Sequence, residues 1–159
     1  MKIPTKSKGD KFEMWLEILL KEHGYEDVER SYRENHGRPY READLRYTLK
    51  KDGRKITVLV EAKYSSNGEI KYKLRSTKKK KDYGIEMVID NLVDEVIERQ
   101  KFLGGDESIL VTNKTFEDKL KKEAEKKGVF VMEGHELTRM YHELGYTGSI
   151  EDSIATMPD

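Results

Sequence analysis

Residues 43–63 read ADLRYTLKKDGRKITVLVEAK and predict a β-hairpin. Apolar and polar side chains alternate along 43–49, with the period of two that is typical of a strand with one buried face. The dipeptide Asp52-Gly53 is a strong signal for a tight turn, and the apolar stretch 56–63 supplies the returning strand. This hairpin organises the rest of the prediction.

A two-residue turn fixes the register of the hairpin, because the numbers of facing residues then sum to 105. One side is apolar and consists of the facing pairs Leu45–Val60, Tyr47–Val58 and Leu49–Ile56. On the other side Asp44 faces Glu61, and Lys63 shares that side because side chains alternate along a strand. The sequence leaves open a register that is shifted by one residue.

Two facing carboxylates need a compensating cation, since directly opposed residues bring their Cβ atoms to about 4.5–5.5 Å. Lys63 supplies some positive charge, but Mg²⁺ satisfies such a pair better, because it prefers carboxylate oxygens, water and phosphate oxygens. The alternative is an exposed polar face on which Asp44 and Glu61 relax apart. Geometry alone leaves the two readings equally supported.

The elements around the hairpin predict a mixed α/β fold in which helices cover a central sheet. Ser7 begins the first helix and Gly24 ends it. The other elements expected are a loop over 32–41, a basic loop over 71–81, a long amphipathic helix over 85–103 carrying Ile85, Val88, Ile89, Leu92, Val96 and Leu103, strands at 109–111 and 129–131, and helices over 116–127 and 137–144. The order αββαβαβα fits a single domain over 1–159, with a core over about 9–144 and a loose tail over 145–159.

The composition excludes several classes of protein. The 159 residues include no Cys, which rules out a disulfide framework, a zinc ribbon and a thiol nucleophile. No apolar run reaches the ~18 residues of a membrane span, and the N-terminus does not resemble a signal peptide, so a cytoplasmic location is expected. Abundant Lys and Glu with a single Gln fit either a thermophile or a Lys/Glu-rich mesophile protein.

The net charge of zero conceals an asymmetry along the chain. Residues 1–81 carry a balance of +9, and residues 82–159 carry −9. The densest basic segment comprises Lys71, Lys73, Arg75, Lys78, Lys79, Lys80 and Lys81. Such a segment is either a solvated loop or a surface that contacts the phosphates of a nucleic acid.

The Asp44…Glu61-Ala62-Lys63 arrangement resembles the PD-(D/E)XK motif of restriction-endonuclease-like nucleases. Further stretches resemble the Mrr-like branch: Gly9-Asp10-Lys11-Phe12-Glu13, Gly24-Tyr25 with Val28, Leu110 to Asn113, and Ala124, Gly128, Gly134, Glu136 and Leu137. The similarity covers residues 9–144, and departs from the motif at Ala43, where its name has Pro, and after Lys63, where no Gln follows. It implies the three-layer restriction-endonuclease-like fold, with a central mixed sheet flanked by helices.

The resemblance also implies residue roles. Asp44 and Glu61, with the Ala62 carbonyl, would ligate Mg²⁺ or Mn²⁺, and Lys63 would orient the attacking water or stabilise the phosphorane. Glu13 resembles the helix-one acid that supports the metal, its alternative being a solvent-facing acid. The products would be 5′-phosphate and 3′-hydroxyl ends. We expect structural or surface roles for the four histidines, His23, His36, His135 and His142.

Three functions follow, in order of preference. The first is a metal-dependent DNA endonuclease that acts in restriction, repair or junction cleavage. The second is a non-catalytic nucleic-acid-binding or assembly module that retains the fold, and the third is an RNA-directed nuclease. DNA is the expected partner, through phosphate contacts, with a homodimer as one arrangement and with no role for a membrane or a nucleotide cofactor.

Overall fold

The predicted hairpin is present, in the predicted register, in the computed structural model of the chain, which describes residues 7–33, 42–81 and 84–158. Strands β2 (Glu42–Lys51) and β3 (Arg54–Lys63) pair antiparallel, with Leu45 facing Val60 and Thr48 facing Thr57. Asp52 and Gly53 both have positive φ, at 52° and 77°, as a type I′ turn requires.

Ten further elements complete the fold. They are α1 (Lys8–Glu22), β1 (Glu26–Arg33), β4 (Arg75–Lys81), β5 (Gly84–Asp90), α2 (Leu92–Leu103), β6 (Glu107–Thr112), α3 (Asp118–Lys126), β7 (Phe130–Met132), α4 (Gly134–Glu143) and α5 (Ile150–Ala155). Five strands form a mixed sheet in the order β1-β2-β3-β6-β7, in which β1, β2 and β3 are antiparallel and β3, β6 and β7 are parallel. Strands β4 and β5 form a separate antiparallel hairpin.

Helices cover both faces of the five-stranded sheet, and this confirms the predicted α/β class. Helix α1 packs Phe12, Trp15 and Leu16 on the face that carries Leu45, Val58 and Val60, and α4 and α5 contribute to the same cluster. On the other face, α2 and α3 pack around Leu110. Side chains of β6 alternate between the two clusters, since Ile109 and Val111 belong to the first and Leu110 to the second.

The first helix begins as predicted. The Ser7 side chain accepts a hydrogen bond of 3.1 Å from the Asp10 backbone N–H, which satisfies one of the free donors of the first turn. The five apolar side chains of α1 that point into the core are Phe12, Trp15, Leu16, Leu19 and Leu20. This packing fixes which way the remaining side chains of α1 point, including Glu13.

Two element predictions were wrong, and one strand was not predicted. The helix predicted over 85–103 begins only at Leu92, because residues 84–90 form β5 and Asn91 caps α2 by accepting from the Asp94 N–H. The basic loop predicted over 71–81 is extended from residue 75 onward, where β4 pairs with β5. The strand β1 was not predicted, since its sequence EDVERSYR has little apolar patterning.

The C-terminal segment is also more ordered than predicted. Residues 150–155 form α5, which places Ile150 and Ile154 in the core, and the Trp15 indole N–H donates to the Ser153 hydroxyl over 2.9 Å. Part of the predicted loose tail therefore packs against α1. Within the described ranges, no helix is long and apolar enough to cross a membrane.

Candidate active site

The predicted acidic pair lies where strands β2 and β3 separate. Their paired register ends at Leu45 and Val60, whereas β3 continues along β6 as far as the Lys63–Thr112 pair. Just beyond the last β2–β3 pair, Asp44 Oδ2 accepts a hydrogen bond of 2.8 Å from the Ala62 backbone N–H. The carboxylate thus satisfies a backbone donor at the point where the ladder opens.

Glu61 is buried and forms ion pairs with two basic side chains. The residue is only 8% exposed, and its Oε2 atom pairs with the guanidinium of Arg99 on α2. Its Oε1 atom lies 3.5 Å from Lys63 Nζ. A buried carboxylate requires such partners, because an unpaired charge in this position would be strongly destabilising.

Glu13 approaches the same site from helix α1. Burial, followed by the negative charges of Asp44, Asp10 and Glu61, raises the pKa of Glu13 to about 8, although Arg30 acts in the opposite direction. Burial and the charge of Glu61 also raise the pKa of Asp44 to about 6, although the Ala62 N–H, Lys63 and Arg99 act in the opposite direction. The structure therefore brings Glu13, Asp44, Glu61 and Lys63 into one electrostatic neighbourhood.

The chemistry of these donors fits a hard divalent cation. Carboxylate oxygens are the ligands that Mg²⁺ and Mn²⁺ prefer. The raised pKa values of Glu13 and Asp44 reflect burial first, and then negative charge that the neighbouring side-chain cations do not fully compensate. The three carboxylates do not converge to within 4.8 Å of one another in the described structure. Glu61 is instead engaged by Arg99 and Lys63.

A tighter group of possible ligands is found at Glu133, His135 and Glu136, where three ligand atoms lie within 4.8 Å of one another. Its carboxylates already have structural partners. Glu133 accepts from the Phe116 N–H over 2.6 Å, and Glu136 accepts from the Glu133 N–H over 3.2 Å at the start of α4. We therefore interpret this group as a helix cap.

A buried amide fixes the segment that follows Lys63. Asn113, which is 4% exposed, accepts from the Ser65 N–H over 2.7 Å and donates to the Ser65 carbonyl over 2.8 Å. Asn113 also donates to Glu151 of α5 over 2.7 Å, and the Tyr64 hydroxyl donates to the same carboxylate over 3.2 Å. The C-terminal helix is thereby connected to the chain directly after Lys63.

The basic segment is only partly described at side-chain level. Lys71 forms ion pairs with Glu69 and Glu117, at 2.6 and 3.7 Å, and Lys73 is exposed. Tyr72 accepts a hydrogen bond from Asn91 and lies beneath Lys119. The side chains of Arg75 and of Lys78, Lys79, Lys80 and Lys81 lie outside the described part, and their contact with DNA stays a prediction.

Two of the four histidines have structural partners. His23 Nε2 lies 2.7 Å from the Met140 carbonyl, and His142 Nε2 lies 3.0 Å from the Gly148 carbonyl. His135 neighbours Glu136 at 3.8 Å. His36 lies outside the described residues.

The residues that sequence reasoning missed are Arg99, Asn113 and Glu151. The sequence contained a signal for Arg99. It lies at helical spacing from the apolar residues Leu92 and Val96, on the side of α2 that faces the core, and a charged side chain in such a position is expected to pair with a buried partner. Asn113 belongs to the stretch Leu110 to Asn113 that resembles the Mrr-like branch, but nothing in that resemblance indicates its contacts, and Glu151 belongs to a short segment that carries no periodic signal.

Comparison with known proteins identifies the family of the chain. The restriction endonuclease family Mrr_cat matches residues 5–141, which is most of the chain. No curated protein sequence matches.

Solved structures with the same fold include a protein of unknown function, AF1548, at a TM-score of 0.60 and 17% identity over 86% of this chain and 66% of that one. The DNA modification-dependent restriction endonuclease AspBHI matches with a TM-score of 0.52 and 17% sequence identity. This match covers 91% of the present chain and 35% of the AspBHI chain. MspJI restriction endonuclease, solved in complex with a 27-mer oligonucleotide, matches with a TM-score of 0.50 and 14% sequence identity. This match covers 93% of the present chain and 31% of the MspJI chain.

At these identities the three structures show a shared fold. The chain spans about two thirds of AF1548 and about one third of each restriction endonuclease. The match over residues 5–141 shows that the chain belongs to the Mrr_cat restriction endonuclease family.

Proposed function

We propose that this chain is a metal-dependent endonuclease that hydrolyses phosphodiester bonds of DNA at Asp44, Glu61 and Lys63, with Glu13 in support. The observation that carries the proposal is the position of Asp44 and Glu61 where the β2–β3 ladder opens, with Lys63 Nζ 3.5 Å from Glu61. A buried and a half-buried carboxylate beside an accessible lysine are suited to bind a divalent cation and a phosphate together.

In this proposal Mg²⁺, or Mn²⁺ in its place, is held by Asp44 and Glu61, with the Ala62 carbonyl and Glu13 as further ligands. When bound, the cation supplies an acidified water and neutralises charge on the scissile phosphate. Asp44 retains one oxygen for a ligand, because its other oxygen accepts the Ala62 N–H. The products are 5′-phosphate and 3′-hydroxyl ends.

Lys63 is placed to act on the water or the phosphate. Its side chain is 39% exposed, so its ammonium reaches the opening of the site while it stays near Glu61. A cation in that position attracts the phosphate and stabilises negative charge that develops on its oxygens. The Asn113–Ser65 hydrogen bonds hold the backbone two residues further on and restrict the movement of Lys63.

DNA is proposed to bind through the basic segment, with Lys71, Lys73, Arg75 and Lys78 to Lys81 contacting phosphates. A quadruple Lys→Gln variant at 78, 79, 80 and 81 should weaken DNA binding and flatten its dependence on salt, because each lost phosphate contact reduces the release of counterions. Replacement of four scattered exposed lysines, Lys50, Lys101, Lys122 and Lys126, controls for the change in net charge. Equal salt dependence in the two variants would remove the basic segment from the binding surface.

The test of activity is nicking of plasmid DNA in the presence of Mg²⁺, Mn²⁺ or EDTA. Asp44→Asn and Glu61→Gln should lower the cleavage rate by at least about 100-fold, because metal-supplied stabilisation is worth several kcal/mol. Asp118→Asn, an acid-to-amide change on the exposed side of α3, should cleave like the wild type. Undiminished cleavage in both site variants contradicts the proposed site.

Matched DNA and RNA duplexes and branched DNA complete the test. Preferential cleavage of RNA would favour an RNA-directed nuclease. Binding without cleavage of any substrate, in every metal, would favour a non-catalytic module.

A further inference from the structure

The site contains a basic side chain, Arg99, to which the family resemblance assigned no role. Arg99 belongs to α2, and its guanidinium reaches the buried Oε2 atom of Glu61. Arg99 and Glu61 line the same small gap in the protein, together with Val96, Leu59 and Ser108. The stem of Arg99 therefore lies along the apolar side of α2 while its charged end points at the acidic pair.

The balance of charges at the site means that the Arg99–Glu61 ion pair affects the binding of a divalent cation. Glu13, Asp44 and Glu61 supply up to three negative charges, and Lys63 and Arg99 supply two positive ones. The Glu61 oxygens are divided between the two cations, so neither oxygen is without a positive partner. A divalent cation that binds Glu61 must share or replace one of them.

We propose that Arg99 is a positioning residue that competes with the divalent cation for Glu61. The inference rests on the proposed function. With no divalent cation present, the guanidinium neutralises the buried carboxylate and holds it away from Asp44. Once a divalent cation takes Glu61, the guanidinium is released at the same opening, where its planar fork can bind two oxygens of a phosphate.

Arg99, rather than Lys63, is the partner that is displaced. Lys63 lies 3.5 Å from Glu61 Oε1 and is carried by the same strand, so it stays close whatever Glu61 binds. Arg99 comes from a different element and reaches Glu61 through a long, flexible stem. Removal of its charge leaves Glu61 with an incomplete set of cations, which a divalent ion then supplies more readily.

Calorimetric titration of the full chain with Mn²⁺, without DNA, tests the inference independently of cleavage. Arg99→Gln should bind Mn²⁺ about tenfold more tightly than the wild type, which is 1.4 kcal/mol. In EDTA its melting temperature should fall below that of the wild type, and saturating Mn²⁺ should narrow the difference. Arg54→Gln is the matched control, because Arg54 lies at the other end of β3, about 23 Å from Glu61 by strand rise.

The outcomes separate the two proposals. The proposed function fails if the wild type does not bind Mn²⁺, or if Asp44→Asn binds Mn²⁺ as well as the wild type does. If that binding is present and Arg99→Gln binds Mn²⁺ no more tightly than the wild type, the inference about Arg99 fails by itself.

A second variant decides the matter if Arg99→Gln does not fold. Arg99→Lys keeps the positive charge and loses the fork, so it should bind Mn²⁺ about two- to threefold more tightly than the wild type, because lysine pairs with a carboxylate less specifically. Unchanged Mn²⁺ affinity in Arg99→Lys then overturns the inference.

Discussion

The Asp44 carboxylate accepts a 2.8 Å hydrogen bond from the Ala62 backbone N–H, across the point where β2 and β3 separate. This bond compensates for a strand partner that Ala62 lacks on that side and fixes the orientation of the Asp44 carboxyl group. It also explains how a strand end can hold a half-buried acid without disrupting the sheet. In this position Asp44 is partly buried and lies near Glu61. Burial and the negative charge of Glu61 raise the pKa of Asp44 to about 6.

Glu13 should make stability depend on pH in the absence of divalent cations. Its pKa in the folded protein, about 8, lies above its ordinary value of 4.5, so the folded state binds the proton more tightly than the unfolded chain does. Its contribution is therefore fully favourable below about pH 4.5 and is lost as the pH rises through 8. Glu13→Gln should abolish this loss.

The measurement is the melting temperature in EDTA between pH 4.5 and 8.5. At the upper end Glu13→Gln should melt about 2–4 °C above the wild type, the equivalent of about 1 kcal/mol in a chain of this size. Glu17→Gln, one turn further along α1 and paired with Lys21, is the control. Parallel curves for the wild type and Glu13→Gln would show that Glu13 is not held in the acidic site.

Binding of a divalent cation should release protons. The ligands must be ionised to bind it, and the raised pKa values leave Asp44 partly protonated and Glu13 almost fully protonated near pH 6. Mn²⁺ should therefore bind more tightly at pH 7.5 than at pH 6.0, by about tenfold if one proton is displaced over most of that range. Titration calorimetry in buffers of different ionisation enthalpy counts the released protons, and a count of zero contradicts the assignment of these ligands.

Asn113 should control the mobility of the chain after Lys63. Asn113→Ala removes both hydrogen bonds to the Ser65 backbone, and each buried group left unpaired costs about 1–3 kcal/mol. The Ser65 amide should then exchange with deuterium faster, while the amides of β2 and β3 near the turn exchange as in the wild type. Glu143→Gln, at the exposed end of α4, is the control, and slow exchange of the Ser65 amide in Asn113→Ala would contradict the role of this amide.

Gly134 should tolerate no side chain. A Cβ atom at this position would lie 2.2 Å from the Asn113 carbonyl oxygen, a backbone atom that cannot move without disturbing the Asn113 contacts. Gly134→Ala should lower stability by about 1–3 kcal/mol or more, as overpacking does. Gly9→Ala, whose Cβ would meet only Ser7 Oγ at 3.8 Å, should be neutral or stabilising because alanine favours a helix. Thermal unfolding of the two variants checks the difference.

Local pattern was sufficient to predict the hairpin and the first helix. Alternation along 43–49 and the Asp52-Gly53 turn fixed the register to the residue, and Leu45 faces Val60 as predicted. The Ser7 cap was likewise predicted from adjacent residues. Both features depend on contacts that are close in the chain, and these are the contacts that a sequence pattern encodes directly.

The same reasoning failed where a pattern had two readings. The spacing of Ile85, Val88 and Ile89 fits a helical face, but these residues belong to β5, which is paired with β4. A short apolar run does not distinguish a strand from a helix until its pairing partner is known. The edge strand β1 was missed for the opposite reason: two residues with positive φ, Asp27 and Ser31, interrupt it, and it has little apolar patterning.

The amino-acid sequence by itself determined the register of the hairpin that carries Asp44 and Glu61, because a two-residue turn sets it. Only the tertiary structure decided what surrounds that pair. Arg99 lies 38 positions from Glu61, and Glu151 lies 87 from Tyr64, so their contacts depend on how α2 and α5 pack against the sheet. That packing is set by the whole apolar core, through Ile154, Trp15 and their neighbours, and no local pattern specifies it.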